Sequence, residues 1–414
     1  MNRWEEQLKK YAALAVHIGV NVQQGQTLVV NAPLQAAPLV RLIASQAYEA
    51  GAKHVHAEWN DELLAHIKYK QAPMEAFSEY PMWRARGMEE LAENGAAFIS
   101  IYSPSPDLMK DVDPERIAAW TKASATALSK YRRLQMSHTV SWCVLSVATP
   151  EWAQKIFPDL APQAAEDRLW DVIFETTRVH TDNPIAAWKA HNAKLARIVE
   201  LLNGKRYKAL EYTGPGTNLT VELPEGHLWL GGAKANAKGR LFNPNLPTEE
   251  VFTMPHKDRV NGVVRSTKPL NHAGQLIENF ALTFKDGKVV EIAAEKGYDA
   301  LDKLLQTDEG ARRLGEVALV PHQSPISQSN LIFFNTLFDE NASSHLALGQ
   351  AYQVNLEGGA GLSEEAWSQA GGNSSLIHVD FMIGSGEIDI DGIAQDGTRE
   401  PVMRQGNWAL DVEA

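Results

Sequence analysis

The sequence lacks features on which several classes of protein depend. Among its 414 residues there is a single cysteine, Cys143, which excludes an internal disulfide and a zinc cluster built from cysteine thiolates. Cys143 lies in the apolar stretch SWCVLSVA, so we expect a buried, inert thiol rather than a nucleophile. No run of about 18 apolar residues occurs, and the N-terminal MNRWEEQLKKYAALAV lacks the apolar core of a signal peptide. We therefore expect a cytoplasmic protein without a membrane anchor.

Positive charge is also in short supply. The chain has 51 acidic and 39 basic residues and a formal charge of −12, which argues against nucleic acid and anionic membranes as partners. No GxGxxG or GxxxxGK(S/T) loop opens a predicted helix, so the phosphate cradle of a dinucleotide or P-loop protein is missing. With 44% hydrophobic and 22% charged residues, the chain has a globular composition, and its length predicts two or three domains.

The first 204 residues alternate between helical and strand patterns. An amphipathic helix over residues 4–18 is followed by the apolar strand QTLVVNAP and by a helix that Gly51 closes. Further strands are predicted at KHVHAEW, AAFISIYSP and SWCVLSVATP, with helices over 61–70, 81–94 and 114–136. Strands separated by helices indicate a parallel sheet with right-handed crossovers. We predict an N-terminal α/β domain, residues 1–204, with a mainly parallel sheet flanked by helices.

The pattern changes after residue 205. Alternating strands in YKALEYTGPGTNLTVELP and ENFALTFKDGKVVEIAAEKG predict two hairpins, the second turning at Asp286-Gly287. A helix over 298–308 and strands over 314–320 and 376–382 follow. We therefore predict a mixed α+β, mostly antiparallel C-terminal domain over residues 205–414.

Four stretches of this second domain carry acids or histidines where strands and turns are normally apolar. They are NLPTEEVFTMP with Glu249 and Glu250, GEVALVP with Glu316, FDENASSHLALGQAY with Glu340, His345 and Tyr352, and HVD with His378 and Asp380. On a strand, His378 and Asp380 project from the same face because they are two residues apart. Each stretch alone is more often a solvated acid or the polar face of an ordinary strand.

Together these residues form a set of nitrogen and oxygen ligands without sulfur. Such a set suits zinc, cobalt, manganese or magnesium. The carboxylates outnumber what one catalytic zinc needs, which indicates two cations that share a carboxylate. Adjacent side chains of an extended chain point in opposite directions, so only one of Glu249 and Glu250 should bind, leaving the other for the fold or for proton transfer. The spacing does not choose between them.

A competing pair of histidines lies in the first domain. His54 and His56 share a strand face in KHVHAEW, but only Glu58 accompanies them at strand spacing. A polar face near the edge of the sheet is therefore the favoured interpretation of this pair.

Four long motifs follow one another in the second domain: NLPTEEVFTMP, GEVALVP, TLFDENASSHLALGQAY and GGNSSLIHVDFMIG. In this order, and together with GQTLVVNAP near the N-terminus, they resemble the thermophilic metallo-aminopeptidases of the aminopeptidase T and aminopeptidase S type. The resemblance covers nearly the whole chain. It implies an N-terminal α/β domain, a C-terminal domain with a two-metal site, a homodimer, and removal of N-terminal residues from peptides.

The resemblance also implies the role of individual residues. By position it makes metal ligands of Glu250, Glu316, His345, His378 and Asp380, and of Glu340 in the matching FDEN turn. It selects Glu250 over Glu249, and it places Tyr352 beside the site. In the leading hypothesis Glu316 bridges two cations, Tyr352 donates to the developing oxyanion, and Glu249 is the nearest spare carboxylate for proton transfer.

Two alternatives remain open at this stage. The first is a mononuclear non-heme iron oxygenase, in which His345, His378 and Asp380 form a facial triad. It leaves the glutamates of the other motifs without a function. The second is a non-catalytic metal-binding or scaffold protein whose acids are ordinary surface residues.

Overall fold

The computed structural model describes residues 3–272 and 275–411. Their contacts divide the chain into two compact units. Unit 1 comprises the described residues up to His191, Ala233–Pro247 and Phe333–Leu337. Unit 2 comprises Asn192–Gly232, the described part of Thr248–Ile332, and residues 338–411. The predicted domain boundary between residues 204 and 205 stays a prediction, and no local pattern indicated the two later segments of unit 1.

The helices vary widely in length. They are α1 (Arg3–Leu14), α2 (Ala37–Glu49), α3 (Glu62–Gln71), α4 (Met82–Glu93), α5 (Pro114–Ala127), α6 (Ser129–Met136), α7 (Pro150–Ile156), α8 (Pro162–Thr176), α9 (Pro184–Lys205), α10 (Tyr298–Leu305), α11 (Pro325–Ser329), α12 (Thr336–Asp339) and α13 (Glu364–Gln369). A π-helical turn, Ala15–Gly19, continues α1. Within the described ranges, no helix has both the length and the apolar character that crossing a membrane requires.

The strands are mostly short. They are β1 (Thr27–Pro33), β2 (His54–Asn60), β3 (Ala97–Ile101), β4 (Trp142–Leu145), β5 (Ala209–Gly214), β6 (Thr217–Glu222), β7 (Leu230–Gly231), β8 (Lys234–Ala235), β9 (Leu241–Phe242), β10 (Val251–Thr253), β11 (Val260–Arg265), β12 (Leu270–His272), β13 (Gln275–Ile277), β14 (Ala281–Lys285), β15 (Lys288–Ala293), β16 (Leu314–Leu319), β17 (His345–Gly349), β18 (His378–Met382), β19 (Asp389–Ile393), β20 (Arg399–Arg404) and β21 (Asn407–Trp408).

Unit 1 contains a four-stranded sheet in the order β2-β1-β3-β4, with every neighbouring pair parallel. Central strand β1 is buried along most of its length, as a parallel strand covered on both faces should be. This confirms the predicted α/β class. Cys143 on β4 is buried, as predicted, and burial raises the pKa of its thiol.

The single helix predicted over 114–136 is wrong in one respect, because α5 and α6 are separated at Leu128. The hydroxyls of Ser124 and Thr126 donate to the backbone carbonyls of Thr121 and Lys122 in the last turn of α5. Such bonds compete with the helical pattern and favour its interruption.

Unit 2 is built on two antiparallel sheets. One has five strands in the order β18-β17-β16-β10-β7, and the other has eight in the order β15-β14-β11-β6-β5-β19-β20-β21. Both predicted hairpins are present as β5–β6 and β14–β15, and Asp286 and Gly287 take the positive φ values that a tight two-residue turn needs. The predicted mixed α+β character of this part of the chain is confirmed.

One face of the five-stranded sheet packs into the core of unit 2. Val317, Leu346 and Phe381 are fully buried there, in a cluster that also holds Leu210 and Ile390 from the eight-stranded sheet. Val379 packs against the same cluster. Because strand side chains alternate, the opposite face is left for the polar residues of these strands.

Candidate metal centre

The opposite face of the five-stranded sheet gathers most of the predicted ligands. Glu316 lies on β16, His345 on β17, and His378 with Asp380 on β18. Glu250 directly precedes β10, the strand on the other side of β16. Four neighbouring strands that are far apart in sequence therefore bring these residues to one place.

The strand register leaves room between these side chains. Ala347 on β17 pairs with Glu316 on one side and with Asp380 on the other. Gly349 pairs with His378, and Ala318 with His345. We call Ala318, Ala347 and Gly349 the hollow, because their small size leaves space on a sheet face otherwise ringed by long polar side chains.

A β-bulge sits beside Glu316. The pairing of β16 with β17 shifts register between Leu314 and Glu316. A Cβ added to Gly315 at the bulge would lie 2.3 Å from the carbonyl oxygen of Gln350, so only glycine fits. Bulges re-aim side chains next to functional sites, and this one sets the direction of Glu316.

Two groups of three side chains have ligand atoms within 4.8 Å of one another. They are Glu250, Glu316 and His345, and Glu316, His378 and Asp380. Glu316 belongs to both groups, and its two oxygens face different imidazoles. Oε1 lies 3.5 Å from His345 Nε2, and Oε2 lies 3.6 Å from His378 Nε2. His345 Nε2 is also 3.4 Å from Glu250 Oε2, and His378 Nε2 is 3.3 Å from Asp380 Oδ1.

Each imidazole is oriented by a backbone carbonyl on its other nitrogen. His345 Nδ1 donates to the Ser343 carbonyl at 3.1 Å, and His378 Nδ1 donates to the Gln350 carbonyl at 2.7 Å. A ligand histidine characteristically donates its other N–H in this way, which turns the remaining nitrogen toward the metal. Sequence patterns cannot reveal these two carbonyls, because any residue type supplies one.

The cluster concentrates negative charge in a buried place. Burial acts to lower the pKa of His345, but Glu316, Asp380 and Glu250 outweigh it and raise that pKa to about 10. The pKa of His378 rises to about 9 in the same way: burial opposes the rise, and Asp380 and Glu316 cause it. Burial acts to raise the pKa of Asp380, but the two histidines hold it below its usual range.

Glu340 and Tyr352 lie beside the two groups rather than within them. Burial, followed by the charges of Glu250 and Asp380, raises the pKa of the Glu340 carboxyl well above its ordinary value. The Tyr352 ring lies against His378 with centroids 4.7 Å apart. Burial and the charge of Glu316 raise the pKa of its phenol, which therefore keeps its proton.

The remaining candidates belong to neither of the two groups. Glu249 is 2% exposed, its backbone N–H donates to Asn341 Oδ1 at 2.7 Å, and its side chain belongs to neither group. His54 and His56 lie on the exposed edge strand β2 of unit 1, where His56 Nε2 is 2.9 Å from Glu58 Oε1. That pair has the character of an ordinary polar strand.

The residues present fit divalent cations. Both Nε2 atoms face carboxylate oxygens, at distances longer than a strong hydrogen bond, and five candidate ligand side chains surround a hollow of small residues. Buried carboxylates packed together repel one another unless a cation lies among them. Imidazole and carboxylate without thiolate is the donor set of zinc, cobalt, manganese or magnesium sites.

This geometry agrees with comparisons to known proteins. A family model described as thermophilic metalloprotease (M29) matches residues 4–408, and the chain belongs to that family. Curated relatives that are 44–63% identical over 98–100% of this chain are all named aminopeptidases. This chain is accordingly a hydrolase, an aminopeptidase of the metalloprotease type, as its motifs predicted.

Individual relatives show how closely the whole chain matches. Aminopeptidase 2 of Geobacillus stearothermophilus is 63% identical over 412 residues, which is 100% of both chains. The solved structure of wild-type AmpT from Thermus thermophilus has a TM-score of 0.92 and 47% identity, covering 98% of this chain and 99% of that one. It shares the α/β and antiparallel architecture described above.

A more distant structure shares the fold alone. A 2,5-dihydroxypyridine dioxygenase from Pseudomonas putida KT2440 has a TM-score of 0.55 at 12% identity, covering 99% of this chain and 98% of that one. Fold by itself therefore does not fix the chemistry.

Proposed function

We propose that the chain removes N-terminal residues from peptides, using a water activated between two divalent cations. The observation that carries this proposal is the position of Glu316. Its two carboxylate oxygens face His345 and His378 separately, so one side chain belongs to both ligand groups. A carboxylate that serves two ions in this way is a usual part of two-metal hydrolases.

The proposed ligands divide between the two cations. Glu250 and His345 would hold one, His378 and Asp380 the other, with Glu316 between them. Glu340, whose pKa is raised by burial and by the charges of Glu250 and Asp380, is proposed as a further ligand. The bound cations would supply Lewis acidity, which polarises a peptide carbonyl and lowers the pKa of a water to about 7.

The chain's own residues would complete the reaction. Tyr352, beside His378, is proposed to donate its phenolic proton as a hydrogen bond to the developing oxyanion. Glu249 remains the proposed carboxylate for proton transfer to the leaving amine. Its burial outside both ligand groups makes this the assignment that mutation should test first.

We propose peptides with a free N-terminus as substrates, in keeping with the relatives' name, and zinc, cobalt, magnesium or manganese as the cations. The donor set admits all four metals. A cytoplasmic location and no interaction with nucleic acid or membranes are also proposed, in keeping with the net charge of −12.

We further propose a homodimer. Helix α3 has no buried residue, and its Leu63, Leu64 and Ile67 are 64%, 64% and 49% exposed. Exposed apolar residues grouped on one helix are typical of a protein–protein interface. Sedimentation velocity tests this proposal. Leu64→Glu should yield monomers if α3 forms the interface, whereas a sedimentation coefficient unchanged from wild type would exclude α3 as the interface.

Metal reconstitution tests the catalytic proposal. The protein is stripped with a chelator, resupplied with one divalent metal at a time, and assayed on a panel of aminoacyl reporters. We expect turnover only with metal, and its loss in Glu316→Gln but not in Glu309→Gln, which removes an exposed acid outside the cluster. No turnover with any metal would refute the proposal.

The two alternatives are less well supported. The oxygenase needs His345 in one triad with His378 and Asp380, but His345 groups with Glu250 while the other two residues group separately. A scaffold without chemistry does not explain why carboxylates and imidazoles converge inside the protein rather than on its surface.

A further inference from the structure

Asn373 is a buried side chain outside both ligand groups. It lies between α13 and β18 and is 2% exposed. Its Nδ2 donates to the carbonyl oxygen of Gly349 at 2.6 Å and to that of Gly310 at 2.9 Å. Its own backbone carbonyl accepts the N–H of Ala351 at 3.0 Å. Asn373 therefore holds the chain on both sides of Gln350.

We call these bonds of Asn373 the clamp. The peptide between Gln350 and Ala351 connects the clamp to the candidate metal centre. A trans peptide unit is planar, and its C=O and N–H point in opposite directions. The Ala351 N–H points to Asn373, while the Gln350 carbonyl oxygen lies 2.7 Å from His378 Nδ1. Fixing one end of the plane fixes the other, so the clamp sets the carbonyl that orients His378.

The backbone on the other side of Gln350 is tightly constrained as well. Gly349 has φ +103°, and a Cβ there would lie 2.1 Å from the carbonyl oxygen of Ile377. The Gln350 N–H donates to that same oxygen at 2.7 Å. The chain therefore turns sharply at Gly349, and Asn373 satisfies the carbonyl that the turn leaves pointing inward.

We propose that Asn373 is a positioning residue for the metal centre, holding the Gln350–Ala351 peptide so that its carbonyl orients His378 toward the cation. This inference rests on the proposed two-cation site. It concerns one ligand group only, because the other imidazole, His345, is oriented by the Ser343 carbonyl on the opposite end of β17. Loss of the Asn373 side chain should therefore lower the affinity for one cation and leave the affinity for the other unchanged.

The test titrates Co²⁺ alone into chelated full-length protein and follows two dissociation constants with a competing chelator dye. Asn373→Ala removes the two Nδ2 bonds that anchor residue 373 to Gly310 and Gly349, while the backbone bond to the Ala351 N–H remains. Asn203→Ala is the matched control, since the Asn203 side chain also bonds the backbone, donating to Trp229 O at 3.0 Å and accepting from Trp229 N at 2.8 Å, and belongs to neither ligand group. If the alanine variant does not fold, Asn373→Ser is measured in its place. Serine has one donor where the asparagine amide has two, and the same criterion applies to it.

Outer-sphere partners typically contribute 10- to 100-fold to metal affinity. We expect Asn373→Ala to weaken one Co²⁺ equivalent by about that factor and to leave the other within about threefold, with both unchanged in Asn203→Ala. Equal weakening of both equivalents, or of neither, would overturn the inference. A wild-type protein that binds fewer than two equivalents would instead refute the proposed two-cation function, so the two failures are distinguishable.

Discussion

Replacing Glu316 with glutamine should lower the binding affinity for both cations at once. The substitution preserves shape but removes a charge from a side chain that is 7% exposed and whose two oxygens face different imidazoles. Removing one partner from a buried charge pair costs about 3–5 kcal/mol. At about 1.4 kcal/mol per tenfold, that is a loss of roughly 100- to 5,000-fold in affinity for each cation.

A second variant provides the contrast. Asp380→Asn removes the same kind of charge, but Asp380 belongs only to the group with His378. It should therefore raise one dissociation constant by a similar factor and leave the second nearly unchanged.

Competition of Zn²⁺ between the protein and a chelator dye measures both constants for wild type and each variant. Circular dichroism at the same temperature confirms that the variants are folded. If Glu316→Gln raised only one of the two dissociation constants, Glu316 would not be shared by the two cations, and the proposed arrangement would be wrong.

Three further predictions follow from the same geometry. Tyr352→Phe keeps the ring against His378 but loses the hydroxyl, so kcat should fall about 100-fold with KM little changed, whereas unaltered kcat would exclude the oxyanion role. Ala347→Val fills the hollow, so metal content measured by plasma mass spectrometry should fall, together with about 1–3 kcal/mol of stability; full metal content would show that the hollow is not needed. Backbone N–H groups, including that of Leu376, hold the pKa of Asp308 below its usual value despite burial, which acts to raise it. Asp308→Asn should therefore cost about 1 kcal/mol in urea unfolding at pH 7. This difference should begin to shrink below about pH 4, near the unfolded pKa, and disappear as the pH falls through the lower folded pKa, where the wild-type carboxyl becomes protonated; a difference that persisted below that pH would exclude the charge as its cause.

Local pattern was sufficient for much of the fold. The Asp286-Gly287 turn, flanked by alternating residues, predicted the β14–β15 hairpin, and alternating helices and strands predicted the parallel sheet of unit 1. In both cases the signal lies within a few neighbouring residues, where turn chemistry and periodicity act directly. The break at Leu128 was not predicted because neither glycine nor proline, the usual sequence signals of a helix end, marks it. Hydroxyl bonds to the helix backbone accompany the break instead.

The candidate site depended on long-range pairing that pattern alone does not give. The strand geometry of HVD predicted that His378 and Asp380 share a face, and the two fall in the same ligand group. The order β18-β17-β16-β10, however, brings together residues some 130 positions apart. The chemistry of their side chains grouped them as candidate ligands of one site, and the family motifs then selected Glu250 over Glu249. The hollow, the bulge at Gly315 and the carbonyls of Ser343 and Gln350 were not foreseen, because their contribution is backbone geometry or small size.

The central claim is that Glu316 lies between two cations. A crystal of the protein soaked with Zn²⁺ and measured at the zinc absorption edge tests it most directly. We predict two anomalous peaks per chain, one beside His345 and one beside His378, with the Glu316 carboxylate between them. A single peak, or two peaks that Glu316 does not separate, would contradict the account.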